Sequence, residues 1–208
     1  MKLYTFDTAP NPARLKMFID YKKLTIDTEQ VDMATRAHQN PEYIAVVPDA
    51  TLPALVLEDG TVLTEVIAIA HYLEALFPER PLLGTTPLER ALVLNWNHKL
   101  FNTGFMAAAE VFRNSHPAFV DRALPGLTAF AQLPQLVERG QARLTLHFET
   151  MNKHLADHTF ICGESFSFAD IDMLAILVFA GWGARMRPDT SLQHLHAWRA
   201  RAEEALAG

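Results

Sequence analysis

The sequence predicts an α/β domain followed by an all-α domain. Three observations carry that prediction. Strand-like and helix-like patterns alternate only as far as Pro78, a stretch dense in proline and glycine follows (Pro78-Glu79-Arg80-Pro81-Leu82-Leu83-Gly84), and beyond it only helical spacing recurs. The expected boundaries are 1–78 for the first domain, 79–86 for a linker and 87–208 for the second domain.

Leu3-Tyr4-Thr5-Phe6 reads as a short strand, set off by the polar loop Asp7-Thr8-Ala9-Pro10. A helix follows: Asn11 fits an N-cap, Pro12 the first helical position, and Leu15, Phe18 and Ile19 share one face. Thr25 to Val31 is a second strand, parallel to the first because a helix intervenes. Met33 to Val47 is a polar connection with a short helix around Pro41-Glu42-Tyr43-Ile44. Next comes a hairpin, Pro53-Ala54-Leu55-Val56-Leu57 and Thr61-Val62-Leu63, joined through an Asp59-Gly60 turn. A proline at the head of a strand cannot donate to the sheet. A cis Leu52-Pro53 bond would turn the Leu52 amide and carbonyl outward, where an extended peptide could pair with them. Glu65-Val66 then opens a helix to about Phe77, with Val66, Ile69, Leu73, Leu76 and Phe77 on one buried face. Its free N–H groups attract a carboxylate, so hairpin and helix start together describe a clamp for a small anionic peptide.

In the second domain, Thr86-Pro87-Leu88-Glu89 is a capping box opening a helix to about Asn114, which His116-Pro117 ends. Pro125-Gly126 and Pro134 interrupt the chain before Leu136 to Ala156 resumes helical spacing with Leu144, Phe148, Met151 and Leu155 aligned. Ser167-Phe168-Ala169-Asp170 is a second cap, and its helix, Ala169 to about Ala184, is apolar on most faces and should be the core. A last helix carries Leu195, Trp198 and Ala202.

Composition narrows the function classes. Half of the 208 residues are apolar, enough for a full core, and a formal charge of −6 leaves no basic footprint for a nucleic-acid partner. The single Cys162 excludes an internal disulfide and suits a reducing compartment. The start, Met1 to Asp7, lacks the apolar core of a secretory signal, and the greasy run Met173 to Trp182 falls short of the roughly 20 residues that span a bilayer. The expectation is a cytoplasmic protein with neither membrane nor nucleic-acid partner.

An α/β domain with a proline-led hairpin, a proline-rich linker and an all-helical domain resembles the soluble (cytosolic) glutathione S-transferases, bacterial type. The residues that carry the resemblance are Leu3 to Asn11, Asn40-Pro41-Glu42-Tyr43, Leu52-Pro53, Leu63-Thr64-Glu65, Leu82-Leu83-Gly84 and Phe166-Ser167-Phe168-Ala169-Asp170, in that order along nearly the whole chain. The resemblance implies an N-terminal thioredoxin-like domain that binds glutathione as co-substrate, and an all-helical C-terminal domain that shapes a pocket for a small hydrophobic electrophile. It implies a homodimer and no metal. Carried over by position, the Leu52 backbone ahead of cis-Pro53 pairs with the cysteinyl unit of glutathione, Glu65 and the Val66 amide hold its γ-glutamyl end, and His38 with Gln39 lies near its glycine carboxylate. Phe6, Phe105, Phe112, Trp182 and Met186 are the implied pocket residues. The chemical task is to lower a thiol pKa and place the thiolate beside an electrophile.

Departures from the family pattern fall at this site. Val66 stands where a serine usually grips the γ-glutamyl carboxylate, Gln39 where a basic residue is usual, Val47 where an asparagine precedes Pro48, and Ala9 where a catalytic serine is sought. Thr8 and Asn11 remain as thiolate donors, with a plain N-cap the alternative for Asn11 and a plain turn residue for Thr8. The expected function is conjugation of glutathione to small hydrophobic electrophiles, with weakened glutathione binding. The alternative is a non-catalytic ligand-binding or interaction protein of the same fold, while a disulfide reductase is disfavoured because no cysteine opens the first helix. Cys162 reads as a structural thiol, His194 and His196 as solvent-facing, and Arg113 and Arg185 either as contacts to an anionic substrate or as members of surface ion pairs.

Overall fold

Four short strands, three with apolar residues and one, the exposed edge, wholly polar, form a sheet in the computed structural model, which describes all residues from Met1 to Gly208. Strands β1 (Lys2–Thr5), β2 (Asp27–Gln30), β3 (Ala54–Val56) and β4 (Val62–Leu63) lie in the order β2-β1-β3-β4. β1 pairs parallel with β2, Lys2 opposite Asp27, because helix α1 (Pro10–Tyr21) carries the chain back between them. β3 pairs antiparallel with both β1 and β4, Leu55 facing Leu3 on one side and Leu63 on the other. Gly60, at φ +86°, closes the turn from β3 to β4. The sheet is thus a β-α-β unit followed by a β-β-α unit ending in α3 (Val66–Leu76). Helix α2 (Pro41–Val46) and a 3-10 turn at Ala37–Gln39 occupy the connection from β2 to β3.

The chain divides into two compact units: Met1–Arg80 with Leu124–Thr128, and Pro81–Ala123 with Ala129–Gly208. In the first, α1 packs on α3, and Leu3, Leu15, Phe18, Leu55, Ile69 and Leu73 are buried. The Lys22 side chain, wholly buried just past α1, donates to Glu74 (2.7 Å) and to the carbonyls of Glu79 (2.7 Å) and Arg80 (3.2 Å). A buried ammonium survives only with such complete pairing. Two expectations are corrected here. Helix α1 starts at Pro10, not Pro12, with Ala9 as its N-cap, because both prolines have the φ of a first turn and the structure uses both inside it. Leu76 is exposed although it lies seven residues, two turns, beyond the buried Ile69; it is the last residue of α3, and the buried stripe of Val66, Ile69, Ala70 and Leu73 ends one turn before it.

In the second unit, the Thr86–Glu89 capping box forms: Glu89 N–H donates to Thr86 Oγ1 (3.2 Å), and Glu89 Oε2 accepts from the amides of Thr86 (3.1 Å) and Thr85 (2.7 Å). It opens α4 (Pro87–Leu100), which runs through a π turn at Phe101–Phe105 straight into α5 (Met106–Ser115). The π turn faces α6 (Pro134–His154) at Gly104, where a Cβ would stand 2.6 Å from His147 Nε2. A side chain there would drive the helices apart, so an interior glycine allows this close approach. Helix α7 (Phe168–Trp182) is buried on nearly every face, as its composition predicts, and α8 (Gln193–Ala207) docks Leu195, Trp198 and Ala202 inward. Asp170 is fully buried near the start of α7 and accepts from Ile161 N–H (3.0 Å), Ser167 N–H (2.9 Å), Ser167 Oγ (3.0 Å) and Trp198 Nε1 (2.8 Å). Burial raises its pKa, against the pull of these donors. No helix is long and apolar enough to cross a membrane.

Candidate functional site

In the first unit, a short buried cluster braces the peptide ahead of β3. Val31, Tyr43, Val47, Leu52 and Ala54 pack together with Phe6 against them, and Tyr43 Oη donates to the Thr51 carbonyl at 2.6 Å. Burial raises the Tyr43 pKa, which keeps the hydroxyl a donor. The next bond, Leu52-Pro53, is cis, as the proline-led hairpin predicts. Ladder pairing begins only at Ala54, and neither backbone group of Leu52 takes a partner within the chain. An unpaired N–H and C=O on one residue beside a sheet form a docking point for another extended peptide.

Glu65 is the N-cap residue of α3, exposed, with its side chain making no capping bond, while its carbonyl accepts from Ile69 N–H at 2.9 Å. The first-turn amides from Val66 onward therefore remain available to an external carboxylate. The Val66 side chain is buried and offers no hydrogen bond. His38 is 5% exposed inside the 3-10 turn, and Gln39 beside it is half-buried. Leu52, Pro53, Glu65, Val66, His38 and Gln39 thus all belong to the first unit, as does Phe6.

The loop from β1 to α1 is poor in backbone donors. Ala9 N–H is spent on the Phe6 carbonyl (2.7 Å), Pro10 and Pro12 have no N–H, and Ala13 N–H closes onto Ala9 (2.9 Å). The Asn11 amide is the one donor left in the first turn of α1. Asn11 does not cap the helix; its Oδ1 accepts from Arg14 Nη1 at 2.9 Å, with Arg14 buried beneath it. Because a guanidinium only donates, this bond fixes which end of the carboxamide is oxygen and leaves the NH2 to donate elsewhere. Thr8 is exposed in the preceding turn. Arg14 is a contributor that sequence reading missed; its spacing of three residues from Asn11 was the available signal.

In the second unit, Phe112, Trp182 and Met186 line a cavity of about 540 Å³ enclosed by the end of α5, the start of α6 and the chain leaving α7. Phe105 does not line it. At 6% exposure it is a core residue, stacked on Phe101 (5.5 Å) and against Phe179 (5.4 Å). His116 and Gln141, unread in the sequence beyond a helix stop, do line it, and so does Arg185. Burial pushes the Cys162 thiol up to about 11, so it is held as the thiol rather than the nucleophilic thiolate near neutral pH. His147, held between Thr103 Oγ1 (3.0 Å) and Met173 Sδ (3.3 Å), is lowered to about 4 by burial and stays neutral. His194 and His196 are exposed, and no group of three or more His, Cys, Asp or Glu side chains is placed to hold a metal ion.

Comparison with known proteins identifies the family of the chain. Residues 8–76 match the family profile described as glutathione S-transferase, N-terminal domain, and residues 134–205 match the corresponding C-terminal domain. The chain is similar to glutathione S-transferase 2 of Saccharomyces cerevisiae, 29% identical across 98% of this chain and 86% of that protein. It is also similar to glutathione S-transferase GstA of Escherichia coli, 27% identical across 89% and 82%. Among solved structures, a glutathione S-transferase domain-containing protein of Marinobacter aquaeolei superposes with a TM-score of 0.87 at 30% identity, covering 99% of this chain and all of that one.

Proposed function

The chain belongs to the glutathione S-transferase family, and from that premise we propose that it is a glutathione transferase that conjugates the glutathione thiolate to small hydrophobic electrophiles. The observation that carries this reading is the unpaired Leu52 backbone ahead of cis-Pro53, in the same unit as the open amides at the start of α3. Those groups fit a small peptide with a carboxylate at one end, and glutathione is such a peptide. Leu52 would pair with its backbone, and the Val66 amide with Glu65 would hold the γ-glutamyl end through its carboxylate and ammonium. His38 and Gln39 are proposed for the glycine end.

Three donors are proposed to stabilise the thiolate: Thr8 Oγ1, the Asn11 backbone N–H and the Asn11 carboxamide NH2, the last held in place by Arg14. They act by favouring the charged sulfur over the thiol, which lowers its pKa. The cavity lined by Phe112, Trp182 and Met186 is proposed to take the electrophile. Glutathione binding should be weak, because a serine hydroxyl in place of Val66 would add a charge-assisted hydrogen bond worth roughly 1.5–3 kcal/mol. We further propose a cytoplasmic homodimer, which sedimentation at micromolar concentration would test.

A second reading, a non-catalytic ligand-binding protein, is favoured by one observation: the first turn of α1 keeps a single backbone donor. Conjugation of a generic aryl halide, followed by absorbance, separates the two. A rate above the spontaneous reaction that falls in Thr8→Ala and Asn11→Ala supports the enzyme. Saturable glutathione binding with no rate above background supports the alternative.

A further inference from the structure

We propose that the cavity of the second unit selects an aromatic ring that carries an anionic group such as a carboxylate. This deepens the electrophile reading above and rests on it for its biological meaning, while its test requires no glutathione.

The wall supplies the aromatic half. Phe112 meets the Trp182 ring edge-on at 5.1 Å and 78°, and Phe179 backs Trp182 at 5.3 Å. Although supported on these sides, Trp182 keeps 48% of its surface exposed, so an indole held by other aromatics still presents surface to a ligand. A volume of about 540 Å³ accommodates a compound of one or two fused rings.

The charge half comes from Arg185. In a protein with six more formal negative than positive charges, no aspartate or glutamate lines this cavity, and Arg185 is its one permanently ionised lining residue. No carboxylate lies within ion-pair distance of it. Arg113 is the instructive contrast. Its Nε and Nη2 are committed to the carbonyls of Ala123 (2.9 Å) and Arg122 (2.7 Å), and its Cζ lies 4.6 Å from the centre of the Phe119 ring, so it braces the chain that follows α5.

Two further polar side chains complete the anion's surroundings. His116 Nδ1 accepts from Ala118 N–H at 3.2 Å, which puts the proton of the neutral ring on Nε2 and makes that nitrogen a donor. Gln141 adds a carboxamide to the lining. The segment that carries Arg185 is held in shape rather than loose. Gly183 N–H bonds Phe179 O (2.7 Å), Met186 N–H bonds Ala180 O (2.9 Å), and a Cβ on Gly183 would stand 2.6 Å from the Phe179 ring. Arg185 itself sits at φ +55°, a conformation uncommon for a side-chain-bearing residue.

The test is titration of the full-length protein, without glutathione, with naphthoate and with its uncharged methyl ester, read as quenching of tryptophan fluorescence. Wild type, Arg185→Gln and Arg187→Gln are compared; both arginines are exposed, and Arg187 lies outside the cavity lining. The expected result is a Kd for naphthoate about tenfold higher in Arg185→Gln, as loss of a charge-assisted contact implies. The ester should bind all three proteins within about twofold of one another, and Arg187→Gln should match wild type for both compounds. Equal affinity of wild type for acid and ester, or equal weakening of naphthoate by the two arginine substitutions, would overturn the proposal. Aryl halide conjugation is measured on the same samples: a protein that conjugates but does not discriminate acid from ester loses only this inference, and one that discriminates but does not conjugate loses only the transferase reading.

Discussion

The two units build their candidate sites from different material. In the first, the groups offered to a ligand belong mainly to the backbone: the Leu52 amide and carbonyl, the amides opening α3 and the Asn11 N–H. In the second, they are side chains, with Trp182, Phe112, His116 and Arg185 around the cavity. A backbone site is set by turn and helix geometry and tolerates side-chain change, whereas a side-chain site is only as good as the packing that orients it. On that difference, the proposed peptide clamp does not depend on a serine at position 66 or at position 9.

The sharpest way to break the comparison is to attack the support of the second unit. Asp170→Ala strands four buried donors, including the Trp198 indole N–H, and should cost on the order of 4 kcal/mol or more in urea unfolding. Glu65→Ala, an exposed change at the clamp, should stay within about 0.5 kcal/mol of wild type. Comparable costs for the two would remove the distinction.

Acid should expose the same dependence. His147 has a folded pKa of about 4 against its usual 6.5, so the unfolded chain takes up the proton first as pH falls. Stability is therefore retained above pH 6.5 and lost progressively toward pH 4, by about 3 kcal/mol from this group alone. Unfolding midpoints at neutral and acidic pH measure it, and His147→Gln should flatten the acid side of the profile. A slope identical in wild type and variant would assign the acid sensitivity elsewhere.

How much of this was legible in the sequence follows the same division. The cis proline hairpin, the Thr86–Glu89 and Ser167–Asp170 caps and the buried α7 were readable, because each is a local pattern with one physical solution. The start of α1 was not, since Pro10 and Pro12 both satisfy the rule for a first helical turn and local chemistry cannot choose between them. The π turn left only a faint mark, Gly104 inside a helical run. His147 could have been found: it shares the spacing of Leu144, Phe148 and Met151, which places it on the inward face of α6. Phe105 and Phe112, seven residues apart on one stripe, could not be sorted into core and cavity wall without knowing where α7 ends.

Smaller effects sharpen the account of the clamp. Val66→Ser puts a hydroxyl at the start of α3 and should tighten glutathione more than about tenfold, by roughly 1.5–3 kcal/mol, by calorimetry. No gain in affinity would mean that the position does not face the ligand. Thr8→Ala and Asn11→Ala should each slow aryl halide conjugation by about threefold to tenfold, near 1 kcal/mol apiece, with glutathione affinity little changed. Equal rates in both variants and wild type would strike Thr8 and Asn11 from the donor set.

The most direct test is calorimetric titration of the wild-type protein with glutathione at neutral pH, repeated with Arg185→Gln. A clamp built mainly of backbone predicts saturable binding with a Kd of roughly 1 mM, about 4 kcal/mol, unchanged by a substitution in the second unit. Absence of binding up to about ten times that concentration would contradict it.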